Sequence, residues 1–260
     1  MERLEALTAY YSRGKEDGRL LSRYGSVEFI TTVHYIEKYL CPGMEILEIG
    51  AGTGRYSHYF ARNGYEVDAV ELMECNIEVF KAHTLPSEKI TVAQGDALDL
   101  EIEDEQYDIT LLLGPMYHLY TREDKVRALS EAMRVTKPGG SVLVAYCMNE
   151  ATVIQYVFGC NKLREIMDLH MLTEDWKCIS EPKDLFEMVR TEDIERINAA
   201  VSVERVKLVA TDGASRYIRE YLEEMDEETF EKWLSYHFAT CERQDLIGAT
   251  NHSLDILRKV

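Results

Sequence analysis

The chain lacks any apolar run near the roughly 18 residues that a bilayer-crossing helix needs, so no transmembrane segment is expected. Its opening, MERLEALTAYYSRGKEDG, lacks the basic-then-apolar layout of a secretory signal, and the expectation is a cytoplasmic protein. Six cysteines (Cys41, Cys75, Cys147, Cys160, Cys178 and Cys241) form no C-x-x-C pair, which excludes a zinc knuckle, a redox dithiol and a disulfide framework. Reduced, mostly buried thiols are expected instead. The seven histidines include no H-x-x-x-H spacing, so no metal site is expected. Positive charge is also scarce: 29 Lys and Arg stand against 47 Asp and Glu, a formal net charge of −18. Such a field repels phosphates and disfavours nucleic acid, while a small or cationic ligand suits it. Internal repeats, low-complexity tracts and Pro/Gly-rich linkers are missing, so a single domain over residues 1–260 is expected.

What is present is an alternation of short apolar runs with helical patterns. Glu45–Ile49 reads as a strand, Gly54–Asn63 as a helix, Tyr65–Val70 as a second strand and Cys75–His83 as a second helix. Lys89–Ala93 and Tyr107–Leu113 follow as strands three and four. Arg122–Thr136 is a helix stopped by Lys137-Pro138-Gly139-Gly140, with Ser141–Tyr146 as strand five. Further on, Leu185–Val189 reads as a short strand, Thr191–Ala200 as a crossover helix, and Val203–Ala210 and Ser253–Val260 as strands six and seven. This order predicts an α/β fold: a Rossmann-like, doubly wound, seven-stranded and mostly parallel sheet covered on both faces. Helical embellishments fall at 1–40, 148–190 and 214–248. They sit where they can reach the carboxyl ends of the strands, the ligand edge of open α/β sheets.

The first strand runs into Glu48-Ile49-Gly50-Ala51-Gly52-Thr53-Gly54. A dinucleotide fingerprint needs a third glycine where Arg55 stands, and no Gly-Lys-Ser/Thr follows as a P-loop requires. Taken alone, G-x-G-x-G is either a cofactor loop or a tight turn needing positive φ. Its companions favour the first. Glu71 closes strand two where a carboxylate can take both ribose hydroxyls, and Asp96 follows strand three in Gly95-Asp96-Ala97, placed to accept from an exocyclic amine. Strand four ends at Gly114, and strand five is preceded by Arg134-Val135-Thr136-Lys137-Pro138-Gly139-Gly140.

In these segments the chain resembles the class I S-adenosylmethionine-dependent methyltransferases: EIGAGTG at 48–54, VEL at 70–72, GDA at 95–97, YDITLLLGPMYHL at 107–119 and RVTKPGGSVLVA at 134–145. The likeness spans 44–147 strongly and points to the small bacterial members with helical lids. It implies S-adenosyl-L-methionine as cofactor and S-adenosyl-L-homocysteine as product. It further implies that Glu48, Gly50, Ala51, Gly52 and Gly54 line the methionine part and ribose edge, with Glu71 on the ribose diol. Leu72 would lie against adenine, Asp96 and Ala97 would address its edge, and Gly114 would approach the amino group. In similar enzymes the N-terminal segment folds over the cofactor, with Tyr11 covering the methionine part and Arg19 or Arg23 pairing its carboxylate; a solvated loop is the alternative. On this reading 1–40 is the lid, 41–147 the cofactor-binding core, and 148–190 with 214–248 the substrate cap.

Methyl transfer needs an aligned acceptor and, for some acceptors, a base. His118 and Tyr117, after strand four, are the candidate base and orienting residue, a packing or capping histidine being the alternative. Gly114-Pro115-Met116-Tyr117 departs at two of four positions from the Asn/Asp-Pro-Pro-Tyr motif of methyltransferases acting on planar amino nitrogens, which disfavours that chemistry. Tyr117, His118, Tyr146, Trp176, Arg216 and Trp233 are the candidate acceptor-side residues. The expectation is a small-molecule methyltransferase, monomer or homodimer. An RNA- or protein-modifying methyltransferase and a cofactor-binding protein without turnover are the alternatives.

Overall fold

The computed structural model describes residues 3–12, 14, 18 and 20–260. In chain order its elements are α1 (Arg3–Tyr11), α2 (Arg23–Glu37), β1 (Glu45–Ile49), α3 (Arg55–Arg62), β2 (Glu66–Glu71), α4 (Glu74–His83), β3 (Ile90–Gln94) and β4 (Tyr107–Leu112). Then come α5 (Arg122–Val135), β5 (Thr136–Cys147), α6 (Asn149–Thr152), α7 (Leu163–Asp168), α8 (Thr191–Asn198) and β6 (Val203–Ala210). The last are α9 (Arg219–Glu224), α10 (Glu227–Thr240), α11 (Gln244–Ile247) and β7 (His252–Lys259).

Seven strands form one sheet in the order β3-β2-β1-β4-β5-β7-β6. Strands β1 to β5 pair in parallel, and β7 runs antiparallel between β5 and β6. The expected fold is therefore the observed one. Burial follows sheet position. Ile109, Leu111 and Leu112 of central β4 are fully buried, because helices cover both faces of a parallel sheet, whereas edge strand β3 is largely exposed. Helix starts carry their own chemistry: Thr121 Oγ1 accepts from the Asp124 amide at the head of α5, and Asp226 from the Thr229 amide at the head of α10. A satellite core of Val27, Leu222 and Phe230 locks α9 and α10 onto α2. No helix among the described residues is long and apolar enough to cross a membrane.

Three sequence expectations change. The thiols are not mostly buried: Cys241 is, but Cys41 and Cys160 are exposed and the other three partly so. Lys137–Gly140 does not separate α5 from β5. The strand begins at Thr136, opposite Tyr107, and pairing resumes with Ser141 opposite Ile109, so the Pro-Gly-Gly segment is a bulge inside the strand. Lys137 pins it from below, its Nζ 3.0 Å from both Glu45 and Asp108. Leu185–Val189 is no strand. Leu185 has φ of 72°, its carbonyl accepts from His118 and Tyr120, and among the described residues the segment makes only one β-bridge, Met148–Val189.

The antiparallel β7 decides what meets what. Its first residue, His252, lies opposite Cys147 at the carboxyl end of β5, and Ser253 lies opposite Ala210 at the end of β6. The start of β7 therefore joins the same sheet edge as the glycine loop.

Candidate active site

A cavity of about 1110 Å³ opens along that edge. It exceeds the usual range for a site holding one small ligand, about 300–1,000 Å³. At one end lie Gly52, Glu71, Leu72, Asn76, Asp96 and Ala97; at the other lie Tyr117, His118, Cys147, Asp212, Asn251 and His252.

The glycine loop explains the first end. Gly50 has φ of 75°, and a Cβ there would lie 2.5 Å from Pro115 Cδ, so only glycine lets the loop after β4 pack against it. Gly52 has φ of 57°, and a Cβ on it would meet nothing within 4 Å, so its backbone faces open space. Gly54 serves packing instead: a Cβ would meet the Phe80 ring at 2.5 Å, and the residue does not line the cavity. Glu71 is held by three donors. Its Oε2 accepts from Gly52 N at 2.8 Å, and its Oε1 from Met73 N at 2.9 Å and Asn76 Nδ2 at 3.1 Å. Glu48 is buried beneath the loop and accepts from Ser57 Oγ; burial pushes its carboxyl up to about 7, against that hydrogen bond. Asp96 accepts from the Leu98 amide at 3.1 Å and pairs with Arg3 of α1 at 3.3 and 3.4 Å.

Helix α1 is thus a wall of the cavity. Tyr11 Oη lies 2.8 Å from His118 Nε2, while His118 Nδ1 lies 2.8 Å from the Leu185 carbonyl. A carbonyl only accepts, so Nδ1 carries the proton and Nε2 accepts from the tyrosine. Burial pulls the His118 pKa down to about 4, with the nearby Arg3 charge in the same direction and the Leu185 carbonyl opposing. Tyr10 packs edge-on against Phe186, and His118 leans on the same ring. Arg19, expected on the cofactor carboxylate, lies outside the described residues.

At the other end the sequence pointed to Tyr117 and His118 but not to a cluster around Asp212. Asp212, just past β6, is buried and accepts four hydrogen bonds. Thr250 Oγ1, Asn251 N and His252 N reach Oδ1, and His252 Nδ1 reaches Oδ2 at 2.9 Å. Glu28 of α2 approaches the same Nδ1 at 3.2 Å. Burial disfavours the imidazolium, but Glu28, Cys147 and Asp212 together lift its pKa well above the ordinary value. The same cation and the donors hold Asp212 below the usual carboxylate range despite burial. These residues are 28, 212 and 252 in the chain, so no local spacing could join them; the register of β7 and the docking of α2 do.

Of the acceptor-side candidates, Tyr117, His118 and Arg216 line the cavity, whereas Tyr146, Trp176 and Trp233 do not. Tyr146 is 1% exposed within the sheet core. Trp176 packs on Phe158, and Trp233 joins the satellite core, its Nε1 donating to Ser215 Oγ. Tyr146 and Trp233 went to packing, whereas Trp176 lies 44% exposed in a loop outside the cavity.

Residues 46–140 match a family described as a methyltransferase domain. The chain is 28% identical over 211 residues to a demethylmenaquinone methyltransferase of Clavibacter sepedonicus, covering 78% of this chain and 69% of that one. It is 26% identical over 155 residues to a ubiquinone biosynthesis O-methyltransferase of Alkalilimnicola ehrlichii, covering 58% of this chain and 61% of the relative. Among solved structures, a methyltransferase from Methanosarcina mazei superposes with a TM-score of 0.59 at 14% identity, covering 87% of this chain and 97% of that one; this likeness speaks to the fold. The glycine loop, the acidic strand ends and the sheet order accord with these matches: residues 46–140 resemble a methyltransferase domain, and the chain shares its fold with an S-adenosylmethionine-dependent methyltransferase.

Proposed function

We propose that the protein moves a methyl group from S-adenosyl-L-methionine to a small organic acceptor bound in the same cavity. The observation that carries this reading is one roofed space, large enough for two small molecules, with carboxylates at one end and a separate polar cluster at the other. The residues fit the cofactor. Gly52 leaves open space beside the Glu71 carboxylate, where a side chain would intrude. Glu71 accepts three hydrogen bonds and a carboxylate has about four lone-pair sites, so capacity remains for a ribose hydroxyl. Asp96, shared with Arg3, retains a site for the adenine amino group. Ala51, Leu72, Ala97 and Gly114 complete the walls. When bound, the cofactor supplies a methyl carbon already activated by positive sulfur.

The protein's part is to bind, orient and exclude water. Helix α1 closes one side through Arg3–Asp96 and Tyr11–His118. His118 has both ring nitrogens engaged, so a base role there requires the Tyr11 hydroxyl to leave Nε2. Tyr117 stands beside it as an orienting residue, and Arg216 is available to an acceptor's polar group. A macromolecular acceptor is the second reading. The net charge of −18 opposes RNA, and α1 narrows access for a protein segment. Two relatives carry quinone names, so ring hydroxyl compounds head the acceptor panel. The test incubates the protein with isotopically labelled S-adenosylmethionine and cell extract split into small-molecule, RNA and protein fractions. Label in the small-molecule fraction supports the proposal; label confined to RNA or protein overturns it.

A further inference from the structure

At the far end of the cavity, the Asp212–His252 pair and the Asn251 amide form a second functional cluster, separate from the residues around the glycine loop. Resting on the methyltransferase reading above, we infer that this cluster is the acceptor's seat: His252 Nε2 takes the proton of a hydroxyl, and Asn251 Nδ2 donates to its oxygen. Asp212 is the positioning residue.

The geometry carries this in three steps. First, Asp212 is immobilised by the four donors described above and presents Oδ2 to His252 Nδ1 at 2.9 Å. A carboxylate only accepts, so Nδ1 bears the proton and the ring turns Nε2 to the cavity it lines. Asp212 and Glu28 both address Nδ1, and among the described residues no hydrogen bond reaches Nε2.

Second, Asn251 is 8% exposed and lines the same cavity. Its Oδ1 accepts from Gln155 Nε2 at 3.0 Å, which turns the amino group the other way. Among the described residues Nδ2 has no partner. A buried donor left unpaired costs about 1–3 kcal/mol, so a ligand oxygen there recovers a real loss.

Third, a donor beside a proton acceptor selects the chemistry. A hydroxyl oxygen has two lone pairs: one can accept from Asn251 while the other attacks. A neutral amine has a single pair, which the same donor would tie up. The seat therefore favours a hydroxyl-bearing acceptor, a phenol or enol above all, since its proton is acidic enough to leave. In the step, which requires the neutral ring and so proceeds above the raised pKa of His252, the O–H bond breaks, the proton forms an N–H bond at Nε2, and the electron pair stays on oxygen as the nucleophile. Glu28 from α2, Asp212 after β6, Cys147 at the end of β5 and Tyr117 after β4 all face this imidazole. The first three raise its basicity, which suits a phenolic proton and places the neutral form at alkaline pH.

The test uses 4-nitrocatechol, whose absorbance reports ionisation, bound to the full chain with S-adenosylhomocysteine present. In the wild-type protein the bound probe is expected to be ionised below its free pKa. His252→Gln should abolish that ionisation and Asn251→Leu should weaken probe binding about tenfold or more. Asp212→Asn should shift the pH of ionisation, whereas a purely structural Asp212 would lower stability and leave that pH unchanged. Methyl transfer to any identified hydroxyl acceptor should fall about 100-fold or more in His252→Gln, the lower range for general-base catalysis. The S-adenosylhomocysteine thermal shift should survive in all three. A probe that binds equally to wild type and His252→Gln with the same spectrum overturns the seat. So does loss of probe binding on adding EDTA, because Glu28, Asp212 and His252 place ligand atoms within 4.8 Å of one another and would then be holding a metal. If the wild type gives no S-adenosylhomocysteine shift, the methyltransferase reading fails on its own, and the probe spectrum still judges the seat.

Discussion

Glu71→Gln keeps the shape of the side chain while removing one acceptor oxygen and the charge. In the native protein three donors converge on the carboxylate, Gly52 N on one oxygen and Met73 N with Asn76 Nδ2 on the other. Glutamine has one acceptor oxygen, so whichever way its amide turns, its own NH₂ faces an N–H group. The favourable choice satisfies Met73 and Asn76 and strands Gly52. An unpaired buried donor costs about 1–3 kcal/mol, and water in the adjoining cavity relieves part of it, so about 1–2 kcal/mol is expected. For a chain of this size each kcal/mol moves Tm by about 2–4 °C, which gives a fall of about 2–8 °C. Ligand binding is a separate reading of the same change. If the carboxylate also holds the ribose, hydrogen bonds to a charged group worth about 1.5–3 kcal/mol are weakened, and S-adenosylhomocysteine binds about 10- to 100-fold less tightly. Thermal denaturation and titration calorimetry on the same preparation separate the two. An unchanged Tm refutes the donor accounting around Glu71. Affinity within twofold of wild type refutes the ribose assignment.

Other perturbations follow from the same geometry. Gly50→Ala forces a side chain into φ of 75° and to 2.5 Å from Pro115, and should cost about 3 kcal/mol in urea unfolding; a midpoint matching wild type would mean the loop is free to shift. His118 is held below its unfolded pKa of about 6.5, so the unfolded chain binds the extra proton first. Its contribution is intact above pH 6.5 and declines by about 3 kcal/mol as pH falls to about 4. His118→Gln should flatten that part of the Tm–pH curve, and an equally steep curve would contradict the burial account. Glu48 has the opposite sign. Its folded value of about 7 lies above the unfolded carboxyl's, so its burden grows as pH rises from about 4.5 to 7. Glu48→Gln should therefore stabilise the ligand-free protein at pH 8, by up to about 3 kcal/mol, with little effect at pH 4; destabilisation at pH 8 would refute a costly buried carboxylate.

Much of the fold was readable because its rules are local. The strands at 45–49 and 203–210 and the helix at 191–198 each announce themselves by apolar period and flanking turn chemistry, and their alternation dictates a parallel sheet. The convergence of residues at the glycine-loop end of the cavity was readable for the same reason. Gly50, Gly52, Glu71 and Asp96 all lie at the carboxyl ends of successive parallel strands, which topology brings together whatever the side-chain packing. The errors came where a local signal had two outcomes. Pro138-Gly139-Gly140 is a turn by composition, yet Lys137 tied to Glu45 and Asp108 keeps it within the strand. Trp233 and Tyr146 are equally suited to a pocket and to a core, and the core took them.

By itself, then, the sequence determined the sheet, the bend of the glycine loop and the acidic strand ends beside it, since each depends on a residue's own backbone preference or on a near neighbour. Only the tertiary structure decided the acidic and histidine cluster at the opposite end of the cavity. Glu28, Asp212 and His252 meet because β7 turns back antiparallel between β5 and β6 and α2 crosses above it. Strand register and helix docking are global quantities, and no spacing within the chain encodes a contact between residues 28 and 252.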